Sequence, residues 1–89
     1  MDLHERFSAL IHPSRTRIFR LLNQEELSGG EVTRITQGAQ STTSRHLKQL
    51  TESGWVVNRR MGNTILFSAS KMLTQSDLAL WHALEIELQ

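Results

Sequence analysis

The densest run of chemically capable side chains is Gln40, Ser41, Thr42, Ser44, Arg45 and Lys48. Short amides and hydroxyls are of the size that reaches base edges in a nucleic-acid groove, and the two cations suit phosphate oxygens. Gln40 can pair bidentately with adenine, and Arg45 with guanine. A merely solvated helix face carries similar residues, so the surrounding sequence has to decide. A second basic pair, Arg59-Arg60, stands just before Met61-Gly62-Asn63. There a cation can meet a polyanion backbone or a minor groove, while Asn63 is a turn residue first and a contact second. On alternating strand positions only one of the two arginines can face such a partner.

Enzyme chemistry finds no comparable foothold. Ser44 and His46 are two apart, and on a helix such positions do not face each other. The chain has no G-x-S-x-G elbow, phosphate-binding loop or dinucleotide fingerprint. The absence of cysteine excludes a thiolate nucleophile, a disulfide framework and any zinc–thiolate or iron–sulfur site. The expectation is a non-enzyme without cofactor.

The elements that must position these residues fit one small domain. The 89 residues are 38% hydrophobic and 21% charged with a net charge of +1, which is an ordinary folded composition rather than a disordered one. No apolar run approaches the ~20 residues of a membrane span and no export signal opens the chain, so a cytoplasmic protein is expected. Charge is distributed unevenly. Residues 34–71 hold Arg34, Arg45, Lys48, Arg59, Arg60 and Lys71 against Glu52 alone, whereas residues 72–89 hold Asp77, Glu85 and Glu87 with no cation. A basic centre between less basic ends suggests one polyanion-facing surface, or else a solvated face.

Leu3, Phe7, Leu10 and Ile11 recur at helical spacing and mark a first helix that His12-Pro13 ends. Pro13 opens a second helix with Ile18, Leu21 and Leu22 inward and Arg15, Thr16 and Arg20 off that stripe. Arg15 and Arg17 can reach phosphate or brace the hairpin described next. Ser28-Gly29-Gly30 reads as a loop, with Ser28 capping a third helix and Glu31 completing a capping box. In that helix Val32 and Ile35 point inward, and Gly38 breaks it. Residues 40–53 form a fourth helix with Thr43, Leu47 and Leu50 inward, His46 packed on the same side, and Gly54 at its left-handed end. Glu25-Glu26 solvate a loop. The period then changes to two: Trp55–Arg60 and Thr64–Ser68 flank Met61-Gly62-Asn63 as a hairpin. A last helix runs from Gln75 to Leu88. The predicted class is mainly α with a small β-hairpin, in the layout of a winged helix-turn-helix. Residues 1–89 make a single domain, with flanking helices at 1–11 and 75–89 and a wing at 54–68.

Residues His12 to Ser68 resemble the ArsR/SmtB family of winged-helix repressors. The segment from Pro13 to Leu22 is similar to the family's second-helix signature, and Gln40 to Leu50 to its recognition helix. Gly54 and the stretch from Arg59 to Asn63 look like its wing. The resemblance implies a homodimer that binds operator DNA and represses. It also implies that Gln40, Ser41, Thr42, Ser44, Arg45, Lys48, Arg59, Arg60 and Asn63 are the DNA-contacting positions. The chain departs from the family at Thr36, Gln37, Gly38 and Ala39, where an apolar residue and a serine cap are usual. Loss of a cap costs about 1 kcal/mol, so the fourth helix either starts at Ser41 or is less firmly held. The family's metal sites are incomplete here. Ser28 and Gly30 stand where cysteines would be needed, and Asp77 is followed two residues on by Ala79 rather than histidine. Only His82-x-x-Glu85 matches half of the last-helix site, so no metal is expected.

On the last helix Leu80, Trp81, Leu84 and Leu88 form one stripe, with Leu78 and Ile86 outside it. Apolar residues on two sides call for burial on two fronts. One front is the domain's own core. The other, expected to comprise Leu3, Phe7, Leu10, Leu78, Trp81, Leu84 and Leu88, is a partner subunit. A two-fold dimer implies a palindromic operator in double-stranded DNA. The alternatives are a winged-helix module for protein–protein assembly, or the N-terminal regulatory domain of a longer, methyltransferase-like protein.

Overall fold

The computed structural model describes residues 1–88, so the last residue of the expected 75–89 helix, Gln89, lies outside the described part. Five helices and three strands follow one another as α1 (Leu3–Leu10), α2 (Pro13–Gln24), β1 (Leu27–Ser28), α3 (Gly29–Thr36), α4 (Gln40–Glu52), β2 (Val56–Met61), β3 (Thr64–Ala69) and α5 (Gln75–Glu87).

Local chemistry explains most boundaries. The His12 ring caps α2, its Nδ1 accepting the Ser14 N–H at 3.2 Å, and Pro13 fills the first helical position. Ser28 and Glu31 form the reciprocal capping box of α3, at 3.2 and 2.8 Å. The helix begins directly at Gly29, so Gly29 and Gly30 belong to its first turn and not to a loop. Gly54, at φ 85°, closes α4: its N–H reaches the Thr51 carbonyl, and the Trp55 N–H reaches Leu50.

The sheet has the order β1-β3-β2 and is antiparallel throughout. Its third strand, β1, is only two residues long and pairs Leu27 with Phe67 and Ser28 with Leu66. So short a strand leaves no periodicity to read in sequence. In the hairpin Met61 pairs with Thr64, which moves Met61 into the strand and leaves Gly62-Asn63 as a two-residue turn. Gly62 alone takes positive φ (64°), the pattern of a type II′ turn.

The core gathers Leu10, Phe19, Val32, Leu50, Trp55 and Val56, all essentially without exposed surface. Phe19 stands edge-on to both Trp55 and Trp81, with ring centroids 5.7 and 4.9 Å away, a favoured aromatic arrangement. Leu10 and Trp81, expected at a subunit contact, are 0% and 5% exposed and serve this core instead. Thr16, expected off the apolar stripe, is also buried. Its hydroxyl donates to the Leu10 carbonyl at 2.6 Å, which makes burial affordable for a polar group. Ile35 errs the other way: it is 53% exposed although its spacing from Val32 pointed inward. The helices α2, α3 and α4 with the following hairpin make a winged helix-turn-helix domain, flanked by α1 and α5. No helix among the described residues is long and apolar enough to cross a membrane.

Candidate nucleic-acid interface

The turn between α3 and α4 is three residues long, which sets the two helices close together. Gln37 takes the left-handed conformation (φ 56°), its N–H bonding the Arg34 carbonyl while the Gly38 N–H bonds Thr33, each at 3.2 Å. The residue that ends α3 is therefore Gln37, not Gly38. At Gly38 an added Cβ would come within 3.4 Å of the Thr43 hydroxyl, a close but ordinary contact. The helix α4 starts at Gln40, and Ala39 before it supplies no side-chain cap.

From that start, α4 divides cleanly. Thr43, Leu47 and Leu50 are buried, and Gln40, Ser41, Thr42, Ser44, Arg45 and Lys48 are all exposed. Lys48 lies 3.9 Å from Glu52 one turn on, an exposed pairing of little strength that leaves its ammonium available. Polar groups of base-reading size thus occupy the outer face from the first turn onward.

The inner side of α4 is held by a cluster that sequence reasoning only half anticipated. His46 is half-buried, with its ring 4.9 Å from that of His12. Arg15 places Nη1 3.4 Å from His46 Nδ1, donates from the same nitrogen to the Gln49 side chain, and binds the Ala9 carbonyl through Nε. Arg15 therefore braces α4 against the end of α1 and does not reach the wing. Burial, together with the neighbouring side chains of His12, Arg15 and Arg45, holds the His46 imidazole below its ordinary range. A neutral His46 suits this packing, since its Nδ1 can then accept from Arg15.

The two wing arginines part company. Arg59 is clamped to Glu26 by two parallel bonds, Nε to Oε2 at 2.8 Å and Nη2 to Oε1 at 2.7 Å. The hydrogen bond from Arg59 holds the Glu26 carboxyl below the usual range. Glu26, expected only to solvate a loop, is thus the partner that occupies Arg59. Arg60 projects to the other face of the hairpin, opposite Ile65, exposed and without an ion-pair partner among the described residues. On its face Asn58 shares a groove of about 300 Å³ with Ser44, Leu47 and Lys48 of α4. The alternation of the strand therefore puts Arg60, not Arg59, on the side of the exposed α4 residues. Asn63 sits exposed at the wing tip. The pairing of Glu26 with Arg59 spans 33 residues, and no local pattern announces it.

His82 and Glu85 lie 3.8 Å apart on α5, the first exposed and the second partly so. Among the described residues no three histidine, aspartate or glutamate side chains gather as a metal ion would require.

Comparison with known proteins converges on one family. Residues 12–57 match the family described as bacterial regulatory protein, arsR family. The HTH-type transcriptional regulator Rv0081 of Mycobacterium tuberculosis is 38% identical over 65 residues, covering 72% of this chain and 57% of that protein. The chain thus spans little more than half the length of this curated relative. The crystal structure of NolR from Sinorhizobium fredii superposes with a TM-score of 0.80 at 30% identity, over 94% of this chain and 81% of that one. The fold alone is shared with Mb0332 of Mycobacterium bovis, a homodimeric winged helix-turn-helix DNA-binding domain, at 22% identity and a TM-score of 0.79 over 97% of this chain and 77% of that one.

Proposed function

The chain belongs to the ArsR family of bacterial regulatory proteins, and from that premise we propose that it binds double-stranded DNA as a dimeric transcriptional repressor in the cytoplasm. The observation that carries this reading is the outer face of α4, where Gln40, Ser41, Thr42, Ser44, Arg45 and Lys48 are exposed together, with Arg60 on the same hairpin face as Asn58, which shares a groove with α4. In this reading α4 enters the major groove, its first residues meet base edges, and Arg45 and Lys48 meet bases or phosphate. Arg60 and Asn63 reach the flanking backbone from the wing. Arg59 contributes through Glu26, by fixing the root of the wing.

Dimerisation is assigned to α1 and α5. Leu3, Leu78 and Ile86 are 57%, 40% and 72% exposed, while Phe7, Leu84 and Leu88 are half-buried and pack in part against the domain's own core. A helix apolar on more than one side, as α5 is, favours a second burying partner. A two-fold pair would set the two α4 helices about 34 Å apart, one turn of DNA, on a palindromic operator. No metal or cofactor takes part in this reading.

Selection from a random duplex pool at near-physiological salt tests it. Recovery of a palindromic site is the expected outcome. Weak binding indifferent to sequence would overturn the base-reading role of α4.

A further inference from the structure

A cavity of about 600 Å³ opens between α2, the α3–α4 turn and the first part of α4. That volume falls within the ~300–1,000 Å³ of small-molecule sites. One wall is apolar, made by Ile18, Leu21 and the unexpectedly exposed Ile35. The rim carries Arg17 and Arg20, and no carboxylate lines the cavity. These two arginines differ from Arg6, Arg15 and Arg59, whose guanidinium groups are each held by named acceptors. Neither Arg17 nor Arg20 has a hydrogen-bonded or ion-paired partner among the described residues, although Arg20 is half-buried. An anion in the cavity would give these two guanidinium groups the counter-charge that no neighbouring side chain among the described residues supplies. Three residues apart on α2, the two side chains are neighbours and can converge on a single anionic group.

We propose that this cavity binds a small organic carboxylate with an apolar body, its carboxylate between Arg17 and Arg20 and its body against Ile18, Leu21 and Ile35. A phosphodiester backbone would use the cations but leave the apolar wall in water, which favours the organic anion. Gly38, Ala39 and Thr42 also line the cavity, so an occupant touches the turn that positions α4. The consequence for operator binding rests on the DNA-binding reading above; ligand binding itself does not.

Octanoate titrated into the isotope-labelled chain, followed by amide chemical shifts without DNA, tests the site. Octanol, octylamine and inorganic phosphate serve as controls for body without anion, body with the wrong charge, and anion without body. The expected result is saturable shifts at Ile35, Thr36, Gly38 and Thr42 with octanoate, and affinity about tenfold weaker for octanol. Arg20→Gln should abolish most of the gain over octanol while the remaining spectrum stays folded, and Arg34→Gln, away from the cavity, should change nothing. Equal binding of octanol or of phosphate alone would overturn the proposal, as would shifts confined to α1 and α5. So would an Arg17→Gln/Arg20→Gln variant that loses DNA affinity in a chain that never binds octanoate, because the cations would then serve the DNA backbone.

Discussion

Arg6 and Asp77 join the two flanking helices through a two-pronged ion pair, Nη1 to Oδ1 at 2.9 Å and Nη2 to Oδ2 at 3.0 Å. The same guanidinium donates through Nε to the Ser53 carbonyl at the end of α4 and lies 5.1 Å over the Trp55 ring. Trp55 returns a bond, its indole N–H donating to the Arg6 carbonyl at 2.7 Å. Asp77 also completes the capping box of α5 with Thr74. One arginine thus fastens α1, α5 and the far end of α4 into a single body. A dimer built on α1 and α5 would fix the position of α4 through it.

Asp77 is 1% exposed and Arg6 about one-quarter exposed, so removing either partner strands a largely desolvated charge. Asp77→Leu should cost about 3 kcal/mol, the lower end for a broken buried pair. Arg6→Met with Asp77→Leu should cost clearly less than the sum of the single changes. Urea unfolding of the four proteins checks this, and strictly additive losses would show that the pair is not coupled.

Stability should fall on acidification in two steps. The folded state holds His46 below its ordinary range, so between the folded and unfolded values the unfolded chain binds more protons. Its contribution is complete above about pH 6.5 and declines as pH falls toward the folded value. For Asp77, burial pushes the carboxyl up, but the bonds from Arg6 and the Thr74 backbone outweigh it and leave the group below normal. That contribution is present above about pH 4 and lost as pH falls through the lower folded value. His46→Gln should flatten the first step and leave the second; an unchanged profile between pH 5 and 7 would remove His46 as its source.

Gln37 holds a left-handed conformation that costs a non-glycine residue about 1 kcal/mol. Gln37→Gly should therefore raise stability by somewhat under ~1 kcal/mol, after the extra freedom that glycine gives the unfolded chain. A loss of stability in urea would mean that the Gln37 side chain contributes more than its backbone costs.

Ala39 leaves the first N–H groups of α4 without a side-chain acceptor. Ala39→Ser should stabilise the fold by about 1 kcal/mol, because the backbone there already has the extended angles of a cap residue. A midpoint equal to that of the parent would show that water already serves these donors equally well.

Elements bounded by strong local chemistry were legible in the sequence. Pro13, the Ser28–Glu31 box and Gly54 each mark an end through the residue's own backbone or side chain, and the structure has those ends. The outward face of α4 was legible for the same reason, since Thr43, Leu47 and Leu50 keep helical spacing. What escaped was set by partners distant in the chain. Thr16 is buried because Leu10 offers it a carbonyl, β1 exists because β3 offers it an edge, and Arg59 is occupied because Glu26 lies beside it. Leu10 and Trp81 could not be divided between core and surface without knowing that Phe19 fills the space between Trp55 and Trp81. Spacing identifies an apolar side chain's face, whereas the amount of surface left over depends on the packing of everything else.

The division between the wing arginines gives the sharpest test of the interface. Each phosphate contact adds about 0.9 to the slope of log affinity against log salt on duplex DNA. Arg60 is unpaired and on the side of α4, so Arg60→Ala should lower the steepness of that slope by roughly one contact, about 0.9, on operator and random duplex alike. Arg59 already has its charge met by Glu26, so Arg59→Ala should change the slope by much less, even if affinity falls as the root of the wing loosens. Fluorescence anisotropy across a salt series distinguishes the two. Equal changes in slope would mean that Arg59 exchanges Glu26 for phosphate on binding. The ion pair seen in the free protein would then be a resting place for a DNA-contacting arginine.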